Sequence, residues 1–208
     1  MKHRMTLEQM EMWYARNIDI DNRVIYFGPW QPNEEMVDEL KTWEVNDWSA
    51  QNFIKGLYIL ERRAIANITI VWCSYGGDWT AGMAMYDYLK RIKSKVTIEA
   101  YGRIRSMGTI ILQAAHKRLL SPNCEFLLHY GTYAQDVSHA KDAKANIDEV
   151  DRNNKTMEDI YLKRIKEKHK GYTREKLSEL IKYDKFLLPK EAVEKGFADG
   201  IIYKERRR

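Results

Sequence analysis

The sequence predicts an α/β fold with right-handed crossovers between its strands, and two observations carry that expectation. Apolar, largely β-branched runs at 68–72 and 96–100 have the composition of buried strands. Between them Met83, Tyr86, Leu89 and Ile92 recur at three-residue steps, the spacing that lines one face of a helix. A strand, a helix and a second strand in that order form a parallel pair through a crossover, and folds of this kind collect their chemistry at the strand-to-helix corners.

Each element has a local reason. Residues 23–29 read as a strand, Val24-Ile25-Tyr26-Phe27, closed by the Gly28-Pro29 turn. Residues 48–62 carry Phe53, Leu57 and Leu60 at helical spacing. After the strand at 68–72, Gly76-Gly77 breaks the chain ahead of a helix over 80–92. The strand at 96–100 is followed by a helix-like run over 109–115, and the Ser121-Pro122-Asn123 turn leads into a strand over 124–128. From about 140 to 170, Ile147, Val150, Met157, Tyr161 and Ile165 form one stripe among charges, interrupted at Asn154. A continuous helix of that length would reach about 45 Å at about 1.5 Å per residue. That exceeds a small domain, so it is expected to pack against another subunit, the alternative being a helix lying across its own domain. Gly171 and Thr173 punctuate its end, a helix covers about 173–182, and Pro189 opens a short helix that stops at Gly196.

At 208 residues, 44% of them hydrophobic and 31% charged, the chain suits one good core and is expected to form a single soluble domain. Its apolar runs fall far short of the roughly 20 residues a membrane span needs. Lys2, His3, Arg4, Glu8 and Glu11 deny the N-terminus the apolar centre of a signal peptide, so a cytoplasmic location with no membrane partner is the expectation. Cys73 and Cys124 sit in strand-like segments and read as small core residues rather than a disulfide. The five histidines have no metal spacing, and neither metal nor cofactor is expected. The net charge of +5 is spread along the chain, apart from 163–170 and Arg206-Arg207-Arg208, so no nucleic-acid partner is expected either.

Ser106 is the most informative position. It lies in Gly102-Arg103-Ile104-Arg105-Ser106-Met107-Gly108, where an apolar stretch gives way to a helix. A serine there has its hydroxyl at a helix N-terminus, beside free amides able to stabilise an oxyanion. His129 ends the 124–128 strand and Asp184 follows in Tyr183-Asp184-Lys185-Phe186, which supplies nucleophile, base and orienting acid in the order Ser, His, Asp. Each has a plainer reading. Ser106 would serve as a helix N-cap, His129 as a structural histidine at a strand end, Asp184 as the cap of a turn, and Gly76-Gly77 as a tight turn alone.

Taken together these pieces resemble a known family. Ser74-Tyr75-Gly76-Gly77, then Thr80-Ala81-Gly82-Met83-Ala84-Met85-Tyr86-Asp87, then Ser106-Met107-Gly108, Leu128-His129, and Asp184-Lys185-Phe186 with Glu191-Ala192-Val193-Glu194-Lys195-Gly196 follow the order of the ClpP family, the proteolytic subunits of the Clp protease. The likeness covers roughly 23–202. It implies a ClpP/crotonase-like fold, an α/β architecture of repeated β-β-α units with a protruding handle helix. The peptidase domain would span 23–208, with the handle region at about 130–170, after an axial N-terminal segment over 1–22 that is a candidate for removal by processing.

The resemblance also implies a serine endopeptidase. Ser106 would be the nucleophile, His129 the general base and then acid, and Asp184 the group that holds the imidazole, with the amides of Gly77 and Met107 as the oxyanion hole. Gly76, Asp78, Tyr130, Gly131 and Thr132, continuing to Tyr133 and Ala134, would bind the substrate as an added strand. Implied partners are further copies of the chain, as heptameric rings stacked in pairs into a tetradecamer around a closed chamber, together with peptide substrates and a Clp-type ATPase that unfolds and threads proteins.

Several positions depart from the family pattern. Gly131 replaces a proline two residues after the histidine, and Thr132-Tyr133-Ala134-Gln135-Asp136 replaces a glycine-rich tract. Arg105 stands where the family has a small residue, which puts a positive charge beside the nucleophile unless it points away. Tyr183 replaces the basic residue that helps couple ring stacking to activity. Thr69, Val71 and Arg91 replace aromatic residues of the ATPase-docking pocket, and an acid-rich insertion at about 31–47 bearing Trp43 offers a different partner surface. Two other classes stay open: a catalytically silent ring subunit of a mixed assembly, and a crotonase-like acyl-CoA enzyme, which uses the same corners for an oxyanion but relies on acidic groups.

Overall fold

The computed structural model describes residues 6–28, 44–132 and 140–203. In chain order its elements begin with α1 (Leu7–Arg16), β1 (Ile18–Asp19), β2 (Val24–Phe27), β3 (Glu44–Val45), α2 (Asp47–Arg63), β4 (Ile68–Ser74), β5 (Gly76–Gly77) and α3 (Trp79–Arg91). They continue with β6 (Val96–Arg105), α4 (Met107–Leu112), β7 (Lys117–Leu120), β8 (Glu125–Leu128), α5 (Ala140–Lys168), α6 (Arg174–Leu180), β9 (Lys185–Leu187), α7 (Pro189–Glu194) and β10 (Gly200–Ile201). The α/β class expected from the sequence is the class observed, with mostly parallel strands.

The main sheet has the order β1-β2-β4-β6-β7-β10, with β1 antiparallel at one edge and the rest parallel. β4 alternates buried and half-buried residues along its whole length, so Ile68, Ile70, Trp72 and Ser74 face the helices. There Phe27 stacks on Trp72 at 4.3 Å between centroids, and Phe53 of α2 meets both rings edge-on. Arg23 ties the end of α2 to the segment that follows it, donating to the carbonyls of Leu60 (2.8 Å) in the helix and of Ala66 (3.2 Å) and Asn67 (3.1 Å) beyond it.

β6 is the strand that positions the site, and it is twice the expected length. Its first half, Thr97 to Ala100, pairs with β7, a strand the sequence reading passed over as part of the run after the 109–115 helix. At Gly102 the backbone takes φ +69, and the second half, Arg103 to Arg105, pairs with β8 instead. β8 in turn carries β9 antiparallel, with Leu128 opposite Lys185.

The long helix expected at about 140–170 is present. α5 runs unbroken from Ala140 to Lys168, straight through Asn154, whose side chain has a partner outside the helix, described below. Its C-terminal half buries Met157, Tyr161, Leu162 and Ile165 in the core, while Ile147 in the first half is exposed. Tyr161 reaches α4, where its hydroxyl lies 2.6 Å from Thr109 Oγ1, and burial raises its phenol well above the ordinary range. Among the described residues no helix is long and apolar enough to cross a membrane.

Candidate active site

Ser106 occupies the corner between β6 and α4 at φ +49, ψ −126. A non-glycine residue rarely adopts such a backbone, and strain of this kind is found where a sharp turn must expose a side chain. Three contacts hold it. The Ser106 amide donates to the Leu127 carbonyl of β8 (3.0 Å), and the Ser106 carbonyl accepts from both the amide (2.9 Å) and the hydroxyl (2.6 Å) of Thr109. The plainer reading of Ser106 as a helix cap fails, because its side chain makes no capping hydrogen bond to α4. Ser106 is half-buried at the start of the helix.

The glycine turn is pressed onto this corner. A Cβ on Gly76 would come within 2.6 Å of Ser106 Cβ, 3.0 Å of the Arg105 carbonyl and 3.1 Å of the Met107 amide, and Gly76 has φ +100. Only glycine satisfies both conditions. The turn is itself ordered: the Gly76 amide donates to Ser74 Oγ (3.0 Å), the Asp78 amide donates to the Val45 carbonyl (2.7 Å), and Asp78 caps α3 through the Ala81 amide (2.7 Å). Gly77 lies between two amides already engaged and pairs in register with Val45. Met107, the other expected oxyanion donor, is buried with its side chain against Gly82.

The register of β8 and β9 brings the remaining two candidates to the same edge. The Ser106 amide bonds the carbonyl of Leu127, two residues before His129, and the β8–β9 ladder ends with Leu128 opposite Lys185, the residues that adjoin His129 and Asp184. Side-chain bonds do not complete the set. Among the described residues no hydrogen bond or ion pair joins Ser106, His129 and Asp184; instead His129 Nδ1 donates to the Tyr130 carbonyl at 2.6 Å. A donating Nδ1 leaves the lone pair on Nε2, the tautomer a general base needs.

Arg105 points away from the nucleophile. Its guanidinium pairs with Glu125 and lies 5.4 Å from the Tyr75 ring and 5.9 Å from the Phe186 ring. Hydrogen bonding from Arg105 holds the Glu125 carboxyl below the usual carboxylate range, so the pair is charged on both sides at neutral pH. Tyr183 is exposed, with Lys182 Nζ 5.9 Å from its ring. Thr69 and Val71 lie half-buried on the face of β4 turned from the core, and Arg91 is exposed with its guanidinium 5.5 Å from the Tyr88 ring.

Of the expected substrate-strand residues, Gly76, Asp78, Tyr130, Gly131 and Thr132 are described, while Tyr133, Ala134, Gln135 and Asp136 lie outside the described residues. So do most of the insertion at 31–47, including Trp43, the start of the 1–22 segment and Arg206-Arg207-Arg208. What the sequence reading missed is the support beneath Tyr130 and Gly131. The Tyr130 hydroxyl donates to buried Glu158, which also accepts from Ser178 Oγ (2.9 Å) and pairs with Arg174, and the Gly131 amide donates to Asn154 Oδ1 (2.9 Å). Asn154 breaking an apolar stripe was the available signal. An open groove of about 530 Å³ lies alongside, lined by Tyr130, Arg174, Ser178 and Lys182 among others, and not by Ser106, His129 or Asp184. No group of histidine, cysteine, aspartate and glutamate side chains suited to a metal ion occurs among the described residues.

The family model of the Clp protease matches residues 39–205. The ATP-dependent Clp protease proteolytic subunit of Deinococcus radiodurans is 33% identical over 133 residues, which are 63% of this chain and 62% of that relative. Proteins of the same name from two strains of Dehalococcoides mccartyi are each 33% identical over 164 residues, 77% of this chain and 79% of theirs. The family match takes in every corner residue described above, and with it the chain belongs to the Clp protease family.

Proposed function

We propose that this chain is a ClpP-type serine endopeptidase that cleaves peptides and unfolded proteins through an acyl-enzyme. The observation that carries the reading is the Ser106 corner, a strained serine whose hydroxyl caps nothing and against which only a glycine backbone fits. In the proposed reaction Ser106 Oγ attacks the scissile carbonyl while His129 Nε2 takes its proton. The amides of Gly77 and Met107 hold the resulting oxyanion, each worth about 3–4 kcal/mol of transition-state stabilisation. His129 then gives the proton to the leaving amine, and a water that it deprotonates releases the acyl group from Ser106. Asp184 would stabilise the imidazolium that forms, while the Tyr130 carbonyl keeps the Nδ1–H. The substrate is read as an extended strand against Gly76, Asp78 and 130–132.

The wider assembly is part of the proposal. Cytoplasmic homo-oligomeric rings, stacked in pairs through α5, would enclose the site, and a Clp-type ATPase would deliver folded substrates. Thr69, Val71 and Arg91 give that ATPase a more polar dock than an aromatic pocket. A second reading, a catalytically silent ring subunit, is favoured by one observation: the Nδ1–H of His129 is spent on Tyr130 and not on Asp184.

Labelling by a fluorophosphonate probe, read together with native mass on the same sample, tests both. Labelling that disappears in Ser106→Ala, on a ring-sized particle, is the expected result. A ring that never labels refutes the peptidase and leaves the silent subunit.

A further inference from the structure

Tyr130 is fixed at both ends. Its carbonyl accepts the Nδ1–H of His129, and its hydroxyl donates to Glu158 on α5. The next residue is held by the same helix, through the Gly131 amide and Asn154 Oδ1. Asn154 and Glu158 are four residues apart, one turn along a single face of α5. The Gly131 bond requires a residue with an amide hydrogen, which proline lacks.

Glu158 is a costly way to hold a fold. It is only 6% exposed, and a buried carboxylate repays its desolvation only when its oxygens are fully engaged. Here Tyr130, Ser178 and Arg174 engage them. Burial pushes the carboxyl up, and these three donors outweigh that and hold it below the usual range. An apolar side chain would fill the volume as well, but only an acceptor at this position fixes the tyrosine hydroxyl.

We propose that Asn154 and Glu158 are positioning residues for His129. They set Tyr130 and Gly131, and Tyr130 sets the imidazole through its carbonyl, which keeps Nε2 as the proton-accepting nitrogen. This rests on the peptidase reading above and assigns α5 a part in it that neither Ser106 nor Asp184 supplies.

The test is peptide hydrolysis and phosphonate labelling of the full-length protein, with melting temperatures measured alongside. Glu158→Ala and Asn154→Ala are expected to lower kcat about tenfold or more, with KM within about threefold, since the loss lies in the orientation of a base and not in substrate binding. Glu158→Gln and Asn154→Asp keep the acceptors and are expected to recover most of kcat. Wild-type kcat in the folded alanine variants, or a loss that the conservative variants do not restore, overturns the proposal. If wild type neither hydrolyses nor labels, the peptidase reading has failed, and amide exchange over 129–132 decides the tether alone. Faster exchange in Asn154→Ala than in wild type supports it, and equal exchange overturns it.

Discussion

Gly76→Ala is the substitution that most directly probes the Ser106 corner. The added methyl would sit 2.6 Å from Ser106 Cβ, about 0.8 Å short of the 3.4 Å at which van der Waals contact becomes ordinary. Its other near neighbours, the Arg105 carbonyl and the Met107 amide, are backbone and cannot swing aside as a side-chain tip would. At φ +100 an alanine also carries backbone strain of about 1–3 kcal/mol. The turn and the serine must therefore separate by the better part of an ångström, and misplacement on that scale costs on the order of 100-fold in rate. Labelling of Ser106 by a fluorophosphonate should slow by about that factor, and melting should fall by roughly 2–4 °C for each kcal/mol of strain. Gly171→Ala is the control, because nothing lies within 4 Å of its Cβ position. A Gly76→Ala protein that labels within about threefold of wild type and melts with it would refute the packing of the turn on the nucleophile.

Three further outcomes follow from groups elsewhere in the fold. Arg118 is buried and donates to Asp199, Gln113 Oε1 (2.6 Å) and the carbonyl of Gly196 (3.1 Å), so Arg118→Leu should cost about 3 kcal/mol or more in urea unfolding, and a loss under about 1 kcal/mol would disprove that network. The folded Glu158 carboxyl is depressed below its ordinary 4.5, so its contribution is fully present above that pH and lost as pH falls through the folded value. Stability of wild type should therefore drop more steeply than that of Glu158→Gln between about pH 5 and pH 3, and parallel curves would count against the assignment. Burial pushes the Cys124 thiol up to about 12, so iodoacetamide at about pH 8 should spare it in the native protein and modify it in urea, as mass spectrometry of the tryptic peptide would report.

The long-range order of this fold was readable where a periodic pattern coincided with burial. Leu57, Leu60, Ile70, Leu89 and Ile92 follow strand or helix spacing and all end in the core, whereas Met83 and Tyr86 of the same expected stripe are half-buried and Met85 takes the buried place between them. Short elements were not readable. β7 is four residues of alternating exposure, and β10 is a pair of residues aligned on Leu119 and Leu120, both stabilised by neighbours far away in sequence rather than by propensity. β6 was cut short at Ala100 because Tyr101 and Gly102 look like a strand end; the strand survives by changing partner there. At the site, the strand-to-helix corner that carries Ser106 was legible from the apolar run before it, and the β8–β9 ladder ends at Leu128 and Lys185, beside the expected His129 and Asp184. The rotamer of His129 was not legible, since it depends on the Tyr130 carbonyl, whose own place is set by Glu158, 28 residues after that tyrosine.

The divided pairing of β6 separates two kinds of holding. Before Gly102 the strand is flanked by β4 and β7, whereas after it β8, which carries β9, takes the place of β7 while β4 still pairs there through Ser74 and Ile104. The corner is thus clasped on two sides, and displacing it would break pairings to β4 as well as to β8. One strand therefore serves the core along its first half and the serine along its second, so the rigidity that packing gives the sheet is passed directly to the candidate nucleophile.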